Sequence, residues 1–266
     1  MAITRGDVTD ALLSIGIKEG STVLVHADAI VAAQFPPMPK RQRLDLLIAA
    51  IEAAIGSSGT LVIPTFSYSF TKGQAFDVLG TPSAVGIISE HFRALPDVCR
   101  TADPIFSFAC QGPRAKELCA IQIRECFGPE SVFAALHHWN AYIVDLGCSM
   151  TRGGTFVHYV ETAYGVDYRY KKEFSGTVIL PNKQKYECSV VYNVRDLKRK
   201  SEADLRRLQQ RLTADKTLQS VDVGRSRIMA VAAGNLFDTA WRMLDEDQTS
   251  LIAEGASVYN GRINFS

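Results

Sequence analysis

The sequence predicts an α/β fold: a layered, partly parallel central sheet flanked by helices, with an appended antiparallel β-hairpin. Over the first 150 residues, short apolar runs alternate with segments of helical periodicity. This order favours strands that are parallel at least in part, because each helix returns the chain to the same edge of the sheet. After residue 165 the pattern changes to two β-rich runs separated by a short turn, which indicates the hairpin.

The elements of the first half follow from the apolar runs. Each predicted strand is a short apolar run bounded by turn residues, and each predicted helix is longer and amphipathic. We predict strands at residues 22–26, 60–64, 107–111 and 141–148, and helices at residues 44–55 and 83–94. The second helix is expected to begin behind Thr81 and Pro82, since proline is frequent at helix starts.

The second half begins with the hairpin, whose turn is Pro181-Asn182-Lys183. A charged stretch follows that places Leu205, Leu208 and Leu212 on one face, which predicts an amphipathic helix with a solvated outer side. The predicted elements are strands at residues 172–180, 185–192 and 223–232, and helices at residues 196–215 and 236–244. Without a repeat or a linker, a single domain over residues 1–266 is expected, with the hairpin and charged helix as a subregion at about 166–215.

Composition excludes several classes of protein. The 266 residues are 47% hydrophobic and 21% charged, with a net charge of +1, so nothing indicates disorder or attraction to nucleic acid or membrane. Neither a secretory h-region nor an apolar run of about 18 residues occurs, and a cytoplasmic location is expected. The six cysteines lack Cys-x-x-Cys spacing, which favours reduced, buried thiols over a metal site.

The segment Gly153-Gly-Thr-Phe-Val-His-Tyr-Val-Glu161 is the strongest sign of chemistry. It follows a predicted strand, and Thr155 can cap a helix that begins near Phe156. In that helix His158 and Glu161 lie three residues apart on one face, so the carboxylate can orient the imidazole as a general base near pH 7. The alternative is a surface pair without chemistry.

Several other segments, read together, resemble the aminoglycoside 3-N-acetyltransferase family. The matching pieces are residues 59–67 (GTLVIPTFS), 81–86 (TPSAVG), 92–96 (FRALP), 103–107 (DPIFS), 112–115 (GPRA), 127–129 (FGP), 146–147 (LG) and 155–161 (TFVHYVE). They occur in family order over roughly residues 20 to 180. The chain departs from the family where Ile105 and Phe106 replace a Thr-His pair, and where His26 and its neighbours replace a serine-rich segment.

The resemblance implies direct acetyl transfer from acetyl-CoA, or another acyl-CoA, to a primary amine on a sugar ring, without a metal. His158 is then the general base and Glu161 its orienting carboxylate, although Glu161 could instead face the substrate or the surface. Asp145, inside an apolar strand, is a second candidate, as a partner of the imidazole or of the substrate. Its alternative role is that of a hydrogen-bonded residue at a strand end.

The resemblance also indicates which residues contact coenzyme A. Thr65 and Ser67 follow a strand that ends at Pro64, at the edge of the sheet where ligands bind in α/β proteins. Ser107, His26 and Thr155 are the further candidates. The alternatives are ordinary turn residues for the hydroxyls and a core histidine for His26.

The acceptor amine is less well determined than the reaction. Arg169 and Lys172, beside Tyr168, suit a diphosphate, which favours a nucleotide-linked amino sugar of surface-glycan biosynthesis. One alternative is an aminoglycoside antibiotic as acceptor, in which case these cations only protect an exposed hairpin edge from pairing with another strand. The other is a non-catalytic protein that binds coenzyme A or a sugar nucleotide. A homodimer is compatible with the sequence.

Overall fold

A seven-stranded mixed sheet forms the centre of the protein, in a computed structural model that describes residues 2–253 except the side chain of Arg152. The strand order is β4-β5-β2-β1-β6-β10-β9. The strands are β1 Thr22–Ala27, β2 Thr60–Pro64, β4 Cys99–Arg100, β5 Phe108–Gln111, β6 Tyr142–Leu146, β9 Gln219–Val223 and β10 Ser226–Ala232. Strand β1 pairs in parallel with β2 and β6, and the outer pairs are antiparallel.

Helices cover both faces of this sheet. They are α1 Arg5–Ser14, α2 Ala29–Ala32, α3 Lys40–Ile55, α4 Ile87–Arg93, α5 Ala115–Cys119, α6 Val132–His138, α7 Met150–Gly153, α8 Val157–Tyr164, α9 Arg206–Ala214 and α10 Ala233–Glu246. Alternate residues of the central strands point to opposite layers, as in Val23 and Val25 against Leu24. Helices α1, α3 and α4 pack on one face, and α6, α8 and α10 pack on the other.

The hairpin forms a second, smaller sheet. Its strands, β7 Arg169–Ile179 and β8 Lys185–Arg195, pair over their whole length, and the short β3 Phe76–Asp77 adds a parallel edge to β7. The hairpin packs against the main body at the end nearest α8, where the side-chain amide of Asn193 donates to the hydroxyl of Thr162. The predicted fold class is therefore confirmed, while the single-domain prediction remains a prediction.

Three helix starts differ from the prediction, each for a local reason. Helix α4 begins at Ile87 rather than residue 83, because Gly86 has a φ of 121° that cannot continue a helix. Helix α8 begins at Val157, and Thr155 lies in the turn before it instead of capping it. The charged stretch is helical only from Arg206, although the three predicted leucines are buried as expected.

The strand at 60–64 has the predicted ends, and the other remaining elements are present with shifted ends. The strand predicted at residues 223–232 is two strands, β9 and β10. Helix α1 was not predicted, and its start is a capping box between Thr4 and Asp7. No helix between residues 2 and 253 is long and apolar enough to cross a membrane.

Candidate active site

Helix α8 is positioned by the turn that leaves strand β6. The strand ends at Leu146, Gly147 turns the chain with a φ of 71°, and α7 leads into α8. Gly153 lies so close to the sheet that a Cβ there would collide with the carboxylate of Asp145. A glycine is therefore required where the chain crosses the strand ends before it reaches His158.

His158 and Glu161 form the pair that the spacing predicted. Nδ1 of His158 lies 2.7 Å from Oε2 of Glu161. The Glu161 side chain is fully buried, whereas the His158 side chain is 21% exposed. The carboxylate thus holds one ring nitrogen from inside the protein, and the ring itself reaches the surface.

Two residues at the start of the hairpin complete the environment of Glu161. The hydroxyl of Tyr168 donates to Oε1 at 2.9 Å. Nε of Arg169 lies 2.6 Å from Oε2, in an ion pair that is not a linear hydrogen bond. Both Tyr168 and Arg169 are buried, so the carboxylate charge is compensated in an environment without bulk water.

The protonation states follow from these contacts. Burial and the charge of Arg169 lower the pKa of His158, against the opposing effect of Glu161, which favours a neutral imidazole. Burial would raise the pKa of Glu161, but His158 and Arg169 together lower it, so Glu161 is a carboxylate. A neutral ring that donates from Nδ1 to Glu161 keeps a lone pair on Nε2, and within residues 2–253 no group is bonded to that nitrogen.

An aromatic wall, which the sequence did not predict, borders the exposed ring. It consists of Phe127, Phe106, Tyr192 and Tyr68. The Phe127 ring lies 5.6 Å from the His158 ring, edge to face, and Phe106 contacts Phe127, Tyr192 and Tyr68 at centroid distances of 4.7, 4.9 and 5.7 Å. Tyr68 has a φ of 57°, an uncommon conformation for a non-glycine residue. These residues come from separate loops and strands, so no local sequence pattern predicts that they cluster.

The hydroxyls of Thr65, Ser67 and Ser107, which were expected to contact coenzyme A, are instead buried and bonded within the protein. Thr65 and Ser107 bond to each other's carbonyl groups, and Ser67 donates to the carbonyl of Pro104. The guanidinium of Arg100 donates to both Thr65 and Ser107. The hydroxyls of Thr65 and Ser107 thus fasten the end of β2 to the start of β5, and a contact of the three side chains with coenzyme A stays a prediction.

Asp145 and His26 are neighbours at the ends of β6 and β1, where they contact each other rather than His158. Nδ1 of His26 lies 3.5 Å from Oδ1 of Asp145, and both side chains are at most 10% exposed. Burial raises the pKa of Asp145 to about 7 and lowers that of His26 to about 4. The carboxylate on His158 is therefore Glu161 and not Asp145, while a contact of Asp145 with the substrate stays a prediction. Neither ring nitrogen of His26 has a hydrogen-bond partner within residues 2–253, so a contact of His26 with coenzyme A stays a prediction.

The cations assigned to a diphosphate divide into two groups. Arg169 and Tyr168 face Glu161 from the inside, so they cannot bind a substrate without breaking the buried ion pair. This geometry argues against both side chains as ligands of a diphosphate. Lys172 is exposed, with its ammonium 5.1 Å from the centre of the Phe174 ring, and its contact with substrate stays a prediction, as does that of the half-buried Thr155.

No cluster of three or more histidine, cysteine or acidic side chains within residues 2–253 has the geometry of a metal site. The cysteines in this part of the chain are all free thiols.

The sequence and the fold match known proteins. Residues 24–245 match the family described as aminoglycoside 3-N-acetyltransferase. The chain belongs to this family. That membership confirms the resemblance read from the sequence motifs, and the family is one of acyl-CoA-dependent N-acyltransferases.

Individual members of the aminoglycoside 3-N-acetyltransferase family show the same relationship. Aminoglycoside N(3)-acetyltransferase IV from Salmonella sp is 30% identical over 167 residues, which are 62% of this chain and 60% of that relative. The aminoglycoside acetyltransferase AAC(3)-IVa apoenzyme covers 98% of this chain and 96% of its own, with a TM-score of 0.76 and 23% identity. AAC-IIIb in a binary complex with CoASH covers 92% and 97%, with a TM-score of 0.77 and 17% identity.

Proposed function

We propose that the protein transfers an acetyl group from acetyl-CoA to a primary amine of an aminoglycoside, with His158 as the general base. The observation that carries the proposal is the His158–Glu161 contact of 2.7 Å, with the carboxylate buried and the ring at the surface. A carboxylate in this position sets the tautomer of the ring and stabilises the imidazolium that forms when it accepts a proton.

The reaction needs no covalent enzyme intermediate. As the amine nitrogen attacks the thioester carbonyl, Nε2 of His158 takes its proton, and a tetrahedral intermediate forms. The carbon–sulfur bond then breaks, the amide remains on the sugar, and the proton passes to the departing thiolate of coenzyme A. The protein contributes a neutral base, its fixed orientation and a wall of aromatic side chains beside the ring.

An aminoglycoside is now favoured over the nucleotide-linked amino sugar that the sequence suggested. That suggestion depended on Arg169 and Tyr168 as ligands of a diphosphate, and both are buried against Glu161. The match over residues 24–245 and the Salmonella relative, both described by aminoglycoside acetylation, support the change. The fold shared with a relative crystallised with CoASH supports acetyl-CoA as the donor.

The experiment is a measurement of free-thiol release from acetyl-CoA with a panel of amines. The panel holds several aminoglycosides and several UDP- and dTDP-linked amino sugars, and acetyl-CoA without amine gives the background hydrolysis. We expect turnover with one or more aminoglycosides and none above background with the nucleotide sugars. Turnover with the nucleotide sugars alone would contradict the proposed acceptor, and binding of acetyl-CoA without any thiol release would contradict enzymatic activity.

A further inference from the structure

The guanidinium of Arg169 lies behind the His158–Glu161 pair, on its protein side. Arg169 is the first residue of β7, and its side chain is 3% exposed. Nε lies 2.6 Å from Oε2 of Glu161, and Nη2 lies 2.9 Å from Nδ1 of His158. The remaining Nη1 donates to the carbonyl of Asn193 at 3.2 Å, which fixes the plane of the group against β8. One side chain thus touches both members of the pair.

Nδ1 of His158 therefore faces two groups that favour opposite protonation states. The carboxylate of Glu161 can only accept a hydrogen bond, whereas the guanidinium of Arg169 can only donate one. The contact with Glu161 is the shorter, at 2.7 Å against 2.9 Å, and a carboxylate forms a strong bond to an N–H donor. Nδ1 consequently carries the proton, and the nearby guanidinium contributes positive charge rather than a second hydrogen bond.

We propose that Arg169 is a positioning residue: it anchors the Glu161 carboxylate beside Nδ1 and opposes a second proton on the ring, so that Nε2 is unprotonated when the amine arrives. This inference rests on the proposed acetyl transfer. Arg169 reaches the pair at Oε2 of Glu161 and at Nδ1 of His158, so it leaves Nε2, the nitrogen assigned to the amine, uncontacted.

The pKa of His158 is set by two neighbouring charges with opposite effects. A buried carboxylate alone would favour the imidazolium, which is useless as a base. Burial and Arg169 lower the pKa of His158, while Glu161 raises it. In the described part of the chain, the other titratable groups that face this cluster are the hydroxyls of Tyr168 and Tyr192, and burial raises the pKa of both, so they are uncharged. The balance therefore lies between Glu161 and Arg169.

Lysine could not replace this arginine without loss. The guanidinium presents several donors in a fixed plane, which here contact Glu161, His158 and the carbonyl of Asn193 together. An ammonium has the same charge but is a single point, so it can sit beside only one of these partners at a time. Arg169→Lys thus keeps the positive charge at this position but removes the simultaneous contacts with Glu161, His158 and Asn193.

The decisive experiment observes the histidine ring directly. The chain has five histidines, so ¹⁵N-histidine labelling gives a spectrum in which His158→Ala assigns the signal of interest. The full-length protein is titrated without substrate, as the wild type, Arg169→Gln, Arg169→Lys and the control Lys171→Gln. Lys171→Gln removes an equal charge from an exposed position on the same strand, where, among the residues from 2 to 253, the lysine forms an ion pair with Glu125 alone.

We expect a wild-type ring protonated at Nδ1 and bare at Nε2. In Arg169→Gln the titration midpoint of His158 should move to higher pH, because an opposing positive charge is gone, and in Lys171→Gln it should stay in place. A wild-type ring protonated at Nε2, or an unchanged midpoint in Arg169→Gln, would overturn the proposal. These spectra need no turnover, so they remain decisive even if the proposed acceptor is wrong.

Turnover provides the second readout, which also covers an Arg169→Gln protein that fails to fold. Arg169→Lys should lower kcat by about tenfold or more, because a displaced Glu161 no longer fixes the ring. The KM values for acetyl-CoA and for the amine should be unchanged, since Arg169 touches neither. A wild-type kcat in Arg169→Lys would overturn the positioning role, and a rise in KM for the amine alone would make Arg169 a substrate ligand.

Discussion

The substitution Glu161→Gln tests how far the dyad depends on a buried charge. Glutamine has the same shape and can still accept from Tyr168, but it carries no charge to balance Arg169. Opposite charges 2.6 Å apart attract by roughly 6 kcal/mol at an effective dielectric constant near 20. Breaking one side of a buried pair costs about 3–5 kcal/mol in measured cases. We therefore expect the folded state to lose about 3–5 kcal/mol.

The loss can be measured as a change in melting temperature and in turnover. For a protein of this size, that free energy corresponds to a decrease in Tm of roughly 6 to 20 °C. Turnover should fall by about two to four orders of magnitude, since an uncharged amide in place of the carboxylate would leave the ring without a fixed tautomer. Scanning calorimetry and thiol release on the same preparation give both numbers.

A double-mutant cycle separates the ion pair from the shape of the side chains. Arg169→Met alone should also destabilise, because it leaves the Glu161 carboxylate buried without its counter-charge. The double variant Glu161→Gln/Arg169→Met buries no unpaired charge, so its loss should be smaller than the sum of the two single losses by roughly 2–3 kcal/mol. Additive losses would refute the argument that the two groups stabilise each other.

Two further predictions concern the strand ends beneath the catalytic helix. Because burial raises the pKa of Asp145 to about 7, the contribution of Asp145 to the free energy of unfolding should fall as the pH rises from about 4 to about 7, where the unfolded carboxyl ionises and the folded one does not. The Tm of Asp145→Asn minus that of the wild type should therefore increase over that pH range and stay constant above it. An equal Tm difference at about pH 5 and at about pH 8 would refute this. Gly153→Ala should destabilise by about 1–3 kcal/mol because its Cβ would collide with Asp145, whereas Gly6→Ala, with room for a Cβ, should not. Equal melting temperatures for the two alanine variants would contradict the close approach at Gly153.

The features that the sequence predicted correctly are those with a local signature. The central strands are apolar runs long enough to be recognised, and β2, for example, is buried along its whole length. The His158–Glu161 pair was predictable because both residues lie on one helix, three positions apart. The family motifs extended the same local information over a larger part of the chain.

The features that could not be predicted from the sequence depend on contacts between distant parts of the chain. Arg169 lies eight residues beyond Glu161, across the turn into another sheet, and only the packing of β7 against α8 shows that its side chain points inward. Thr65 and Ser107 have the composition of ligand-binding residues, and only their contact with Arg100 shows that they fasten strands. Whether such a side chain binds a ligand or holds the fold together depends on its exposure to solvent. The local sequence around these residues does not indicate that exposure.

The most direct test of the central claim is acetyl transfer by His158→Ala at saturating acetyl-CoA and aminoglycoside. The exposed His138 at the end of α6 supplies the matched control, His138→Ala, because no hydrogen bond or ion pair of its side chain is seen between residues 2 and 253. We predict that His158→Ala loses about two to four orders of magnitude in kcat, with acetyl-CoA binding preserved in calorimetry, and that His138→Ala keeps the wild-type kcat. A wild-type kcat in His158→Ala would contradict the account and remove His158 from the mechanism.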